Sequence, residues 1–405
     1  MESRVVTLAM LLLVMIYLAF ISLGLPDSLL GAAWPVMQSD YDQPLETAGL
    51  LYMIVAAGTI FSSLASGWLN KRLGTGKVTC ISVALTAVAL FGIAYSPSLD
   101  WLIICAIPLG LGAGAIDAAL NNYVALHYKA HHMNWLHCFW GVGASIGPIM
   151  MSYYMANQGT WRAGYVTISY IQFTLALLLV LTLPLWKLVS RRVPIDEGST
   201  VNPDYLEERV SKERPLKIKG VKYALFTFFF YCGVESTLGL WGSSYLVNSK
   251  GMSAALAAQG VSFFYTGIML GRLITGFILL KVTNHQLMIR LGQIAALIGT
   301  VLLILPLPVT MSLVGFVIVG LGLAPIYPCM IHETPARFGK THSPSIIGYQ
   351  MAVAYTGTTL LPPFLGLIAS YTTLDVFPYF ALVYVMAMLF GSEKLNGMLK
   401  KRWAN

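Results

Sequence analysis

Twelve apolar runs, most of them about 20 residues long and so able to cross ~30 Å of hydrocarbon as a helix, constrain this 405-residue chain most. They lie near 5–30, 48–68, 78–95, 102–124, 135–155, 164–188, 223–247, 254–280, 287–305, 312–331, 346–370 and 377–395. Each run is continuous rather than alternating, which is the pattern of a helix and not of a barrel strand. In lipid a helix satisfies its own backbone hydrogen bonds. The expected fold is therefore all-α: a membrane protein of twelve transmembrane helices in two six-helix bundles. Only 10% of the residues are charged, against roughly 25% in soluble domains. The first run is too long for a signal peptide and no small-residue cleavage site follows it, so it is expected to stay as helix 1.

With an even number of spans both ends share one side. If that side is the cytoplasm, 22 of the 25 Lys and Arg fall on it, two (Arg162 and Lys250) fall outside, and Arg272 lies within a span. This is the positive-inside bias of a correct topology. The net charge of +8 thus reflects membrane orientation. A nucleic-acid role is not expected, since no separate basic domain exists. The expected location is the cell inner membrane, multi-pass, with both termini cytoplasmic. Cys80, Cys105, Cys138, Cys232 and Cys329 all fall inside runs, without metal spacing. No cofactor or metal is expected.

One long polar segment, 189–219, divides the chain. The expected organisation is a bundle over 1–188, a cytoplasmic linker over 189–219 with a short surface helix around Tyr205–Lys212, and a second bundle over 220–405. The halves repeat. DSLLGAAW (27–34) matches ESTLGLW (235–241), GWLNKRLG (67–74) matches GFILLKVT (276–283), GLGAGAI (110–116) matches GLGLAPI (320–326), and GASIGP (143–148) matches GTTLLP (357–362). Four matches in order, offset by 208 to 214 residues, point to parallel repeats around a central site near the bilayer midplane. Gly110, Gly112, Gly114, Gly320 and Gly322 are expected to let helices approach closely, and Pro148, Pro325, Pro328, Pro362 and Pro363 to bend their spans.

Ionisable groups inside spans carry the chemistry, because a charged Asp at a helix centre costs about 2.5–3.5 kcal/mol. Asp27, Asp117 and Glu235 are the candidates for proton coupling: each must face a watery cavity, pair with a donor or carry a proton. A structural hydrogen-bonded acid is the competing role. Asn121 lies one turn from Asp117 on the same helix face, and Asn122 follows. Carboxylate and amide together can bind hydroxyl groups, or can staple two helices. His137, three residues before Trp140, can relay protons or bind a solute, or sit structurally at a helix start. Trp140, Trp241 and Tyr265 are candidate sugar platforms. Trp34 and Trp101 are expected in the interfacial aromatic belt. Gln350 and Tyr355 complete the candidate substrate-binding set. Arg272 is expected to snorkel, or to pair with an acid that the sequence does not identify and so lock a gate, with direct solute binding as the lesser alternative.

On these residues the chain resembles the major facilitator superfamily. GWLNKRLGTGK (67–77) looks like that superfamily's glycine-and-basic loop, except that Lys71 replaces its acid, and Leu280 stands there in the second half. Within the superfamily, the chain resembles the fucose–galactose–glucose/proton symporters. LPDSLLGAAWP places Asp27 where that family has an acid tied to proton coupling. IDAALNN places Asp117 and Asn121 at its acid-x-x-x-Asn sugar motif, with Asp for the fucose permease's Glu. YCGVESTLGLW around Glu235 resembles a stretch of bacterial relatives. The resemblance implies proton-coupled sugar uptake by a monomer whose partners are a small-molecule solute, protons and the lipid bilayer. A proton-driven exporter of drug-like compounds is the alternative. A membrane enzyme is not expected, since the sequence holds no HExxH, phosphate loop or defensible Ser-His-Asp set.

Overall fold

The computed structural model describes residues 2–128, 130–192, 215–279, 284–339 and 342–403. Of the expected linker, residues 193–214 lie outside the described residues, and the surface helix around Tyr205–Lys212 lies outside with them. Among the described residues the first bundle is α1 (Glu2–Asp27), α2 (Leu29–Asp40), α3 (Thr47–Leu73), α4 (Thr75–Ala94), α5 (Leu99–His127), α6 (Ala130–Gln158) and α7 (Arg162–Arg192). The second bundle is α8 (Val221–Asn248), α9 (Ala254–Leu279), α10 (His285–Ile304), α11 (Val309–Leu323), α12 (Ile326–Phe338), α13 (Ser343–Tyr371) and α14 (Phe377–Trp403). The pair α1 and α2 forms one span, and so does the pair α11 and α12. Among the described residues, eleven spans are long and apolar enough to cross a membrane. The twelfth, α6, is 29 residues long but carries more polar residues, among them His132, His137 and Asn157.

The two breaks have local causes. Pro26 removes a backbone donor in the last turn of α1, and Ser28, between the helices, turns its hydroxyl to the Ala144 carbonyl at 2.9 Å. Pro325 occupies the start of α12. Interrupted backbone is tolerated at membrane depth only inside protein or against a cavity, and each break sets a polar residue there: Asp27 before the first, Tyr327 after the second.

The repeat seen in the sequence is a repeat of packing. In the first bundle α1 packs on α6 and α3 on α5; in the second α8 packs on α13 and α9 on α11. The expected small-residue contacts form. A Cβ on Gly110 would stand 2.1 Å from the Val55 carbonyl oxygen, and one on Gly320 2.2 Å from that of Phe264.

The bundles meet through α6 with α9, α3 with α13, and α2 with α8. At the end of the molecule opposite the termini they are closed on each other. Gly31 of α2 lies so close to α8 that a Cβ would come within 2.1 Å of the Gly239 oxygen. Gly31 and Gly239 are the shared glycines of the first matched pair of stretches, so the repeats touch where their axis passes. Ser243 donates to the Ala32 carbonyl at 3.4 Å and Ser262 to that of Ser145 at 2.8 Å. Trp34, expected in the interfacial belt, is instead wholly buried in this closed region, whereas Trp101 is exposed, its indole N–H donating to the Gly92 carbonyl at 2.9 Å.

Candidate functional site

Between the bundles lies a cavity of about 330 Å³. The middle of the α1–α2 span supplies Asp27, α3 Tyr52, α5 Asp117, and α6 His137 and Trp140. From the other bundle come Tyr231, Glu235 and Ser236 of α8, Tyr265 and Arg272 of α9, Tyr327 of α12, and Tyr355 and Thr358 of α13. Asp27 is exposed although it sits at mid-span, so the surface it presents is cavity wall. The rest of the wall is largely apolar, with Phe20, Leu23, Leu30, Leu51, Val55 and Leu109. Polar groups converging on an otherwise apolar cleft are the usual make-up of a small-molecule site.

The polar groups are tied in two networks. On the first bundle, the Trp140 indole N–H donates to Asp27 Oδ2 at 2.7 Å, and the Asn121 amide donates to Asp117 Oδ1 at 2.9 Å and to the Asp117 carbonyl at 3.0 Å. On the second, the Tyr231 hydroxyl donates to Glu235 Oε2 at 2.5 Å. Arg272 Nη2 lies 3.8 Å from Glu235 Oε1 and 3.5 Å from the Tyr231 hydroxyl. The guanidinium also crosses between bundles, with Nη1 3.5 Å from the His137 carbonyl and its carbon 5.2 Å from the Trp140 ring centroid. Aromatic rings complete the bridge: Trp140 stands edge-on to Tyr265 at 6.0 Å, and His137 edge-on to Tyr327 at 6.1 Å.

The three acids singled out from the sequence, one from each of three spans, thus face one cavity. Asp27 and Glu235 occupy matching positions of the repeat. His137, Trp140, Tyr265 and Tyr355 join them. Asn121 is not on the wall and is hydrogen-bonded to Asp117, which is. Asn122 is exposed, away from the wall. Trp241 and Gln350 are also elsewhere. Trp241 is fully buried, donating its indole N–H to the Pro362 carbonyl at 2.7 Å. Gln350 is buried against Thr334, whose hydroxyl donates to its Oε1 at 3.1 Å. The acid partner of Arg272 is Glu235. Tyr52, Tyr231, Ser236, Tyr327 and Thr358 were not anticipated; among them Tyr231 had a signal in the sequence, a hydroxyl four residues before Glu235 and so on the same helix face.

The Major Facilitator Superfamily family model matches residues 16–362. The chain is 23% identical to Bypass of stop codon protein 6 of Saccharomyces cerevisiae, over 97% of this chain and 83% of that one. It is 21% identical to the glucose/mannose transporter GlcP of Bacillus subtilis, over 77% of each. Its fold is similar to the crystal structure of a bacterial homolog of the human lysosomal transporter Spinster, in an inward-facing and occupied conformation, with a TM-score of 0.66, 13% identity, and 96% of this chain and 94% of that one covered.

Proposed function

This chain belongs to the major facilitator superfamily, and we propose that it is a proton-coupled importer of a small polar solute, a sugar, working by alternating access. It is a multi-pass membrane protein and a secondary transporter of small solutes. In the proposed reading it works as a monomer in the inner membrane with both termini in the cytoplasm. The closed end of the molecule is then the outer one, and the cavity serves the cytoplasmic side. The fucose–galactose–glucose/proton symporters are the part of the superfamily to which Asp27, Asp117 and Asn121 liken it.

The observation that carries this reading is the convergence of Asp27, Asp117 and Glu235 on one cavity between the bundles. Intramembrane acids facing a shared passage are the parts of a proton relay. Asp117 with Asn121, Trp140 with Tyr265, and the tyrosine hydroxyls supply the acceptors, donors and flat faces that a polyhydroxylated solute needs. Protonation of Asp27 or Asp117 admits the solute, and the bundles rock about it. The test is uptake into proteoliposomes under an imposed pH gradient. Asp117→Asn should abolish uphill accumulation and leave exchange measurable; undiminished uphill uptake would refute the assignment.

The alternative, proton-driven export of drug-like compounds, is favoured by the apolar wall of Phe20, Leu23, Leu30 and Leu51. A pH gradient that expels apolar cations from the same vesicles and leaves sugars unmoved would select it.

A further inference from the structure

The Arg272 side chain is only 10% exposed, yet none of its contacts is tight. The His137 carbonyl and the Tyr231 hydroxyl lie at 3.5 Å and Glu235 at 3.8 Å, whereas ordinary N–H···O bonds run about 2.7–3.2 Å. The close partner of Glu235 is Tyr231, at 2.5 Å. The guanidinium therefore keeps unspent donor capacity at the cavity wall, where the Trp140 face steadies it from the opposite bundle. A planar fork of this kind is matched best by a carboxylate, which it can take with two parallel bonds. The other two acids are engaged elsewhere, Asp27 by Trp140 and Asp117 by Asn121, which leaves Glu235 as the carboxylate standing nearest Arg272.

We infer that Arg272 anchors a carboxylate of the solute in competition with Glu235, so that the solute class is a sugar acid, an aldonate or uronate, entering with a proton. The inference rests on the transport reading above and narrows its solute. When Glu235 takes a proton, its hold on Arg272 is released and the solute carboxylate replaces it. One proton and one carboxylate enter together, so the total charge of the site is unchanged. The only covalent bond made is the O–H of Glu235, with a proton taken from the medium. The titratable groups facing Glu235 are Tyr231 and Cys232 on its own helix, Arg272 and Tyr265 on α9, Asp27 on α1 and Tyr52 on α3. Arg272 is the one cation in that set. An ionised Asp27 or Asp117 would repel the anion, so its uptake should rise as the outer solution is acidified.

The experiment is uptake of labelled D-glucuronate, D-gluconate and D-glucose by the full chain in proteoliposomes with an inward pH gradient. The expected result is acid uptake faster than glucose uptake by at least about tenfold, lost in Arg272→Gln, because a site built to bind a charged group discriminates strongly against analogues that lack it. Should that variant fail to fold, the wild-type chain still decides: glucuronate should be competed by gluconate and not by the methyl ester of glucuronate, which keeps the hydroxyls and loses the charge. Glucose taken up as fast as glucuronate, or equal competition by the ester, would overturn the anion anchor and leave proton-coupled sugar uptake standing. Absence of gradient-driven uptake for all three would overturn the transport reading on which the inference rests.

Discussion

Trp140 donates its indole N–H to Asp27 across 2.7 Å while its ring carries the Arg272 guanidinium 5.2 Å from the centroid. One side chain thus joins an acid of the first bundle to a cation of the second. Trp140→Phe keeps a ring and removes the donor. Losing a hydrogen bond to a charged group is worth about 1.5–3 kcal/mol, so proton-driven accumulation should fall by an order of magnitude or more.

Asn121 is expected to act on the solute through Asp117. Asn121→Ala leaves the Asp117 carboxylate without its amide partner at 2.9 Å. The predicted outcome is a several-fold rise in KM with a smaller fall in kcat, measured by initial uptake rates. Asn122→Ala, at an exposed position, should change neither.

Trp241 and Gln350 are predicted to matter for stability. Trp241→Phe removes the bond to the Pro362 carbonyl and leaves a buried acceptor unpaired, at a cost of about 1–3 kcal/mol. The melting temperature should drop while KM stays unchanged. A changed KM with an unchanged melting temperature would return Trp241 to the solute site.

Gly31 fixes the closed end. A methyl group in Gly31→Ala would meet backbone, the Gly239 oxygen, at 2.1 Å. Relief of such a clash costs roughly 1–3 kcal/mol, all of it charged to the closed state. The population should shift toward opening at that end. Ser243→Cys, buried in the closed state and placed in a chain whose native cysteines are replaced by serine, should become reactive to an impermeant thiol reagent in the Gly31→Ala background and not in its absence.

Much of the fold was legible in the sequence, because a bilayer writes its thickness into run length and the repeat wrote itself into matched stretches. The breaks at Ser28 and Pro325 were less so: a run of apolar residues looks the same whether its helix is continuous or interrupted. Within the site, the acids could be read because charge in an apolar run demands a reason. Helix phase, at about 100° per residue, explains much of the rest. Asn121 is about 40° from Asp117 and shares its face, whereas Asn122 is about 140° away. Trp241, six residues after Glu235, is turned about 240° from it, toward α13. The pairing of Arg272 with Glu235 joins different helices 37 positions apart, and only the packing of α8 on α9 brings them together. Lone tyrosines such as Tyr52 and Tyr327 gave no signal, since aromatic residues are common along membrane helices.

The most direct measurement is the pH of a weakly buffered suspension of proteoliposomes when solute is added with no gradient imposed. If Asp27, Asp117 and Glu235 carry protons with the solute, the external medium turns alkaline as solute enters, and the Asp117→Asn variant abolishes the response. Solute entry at full rate with no change in external pH would contradict it.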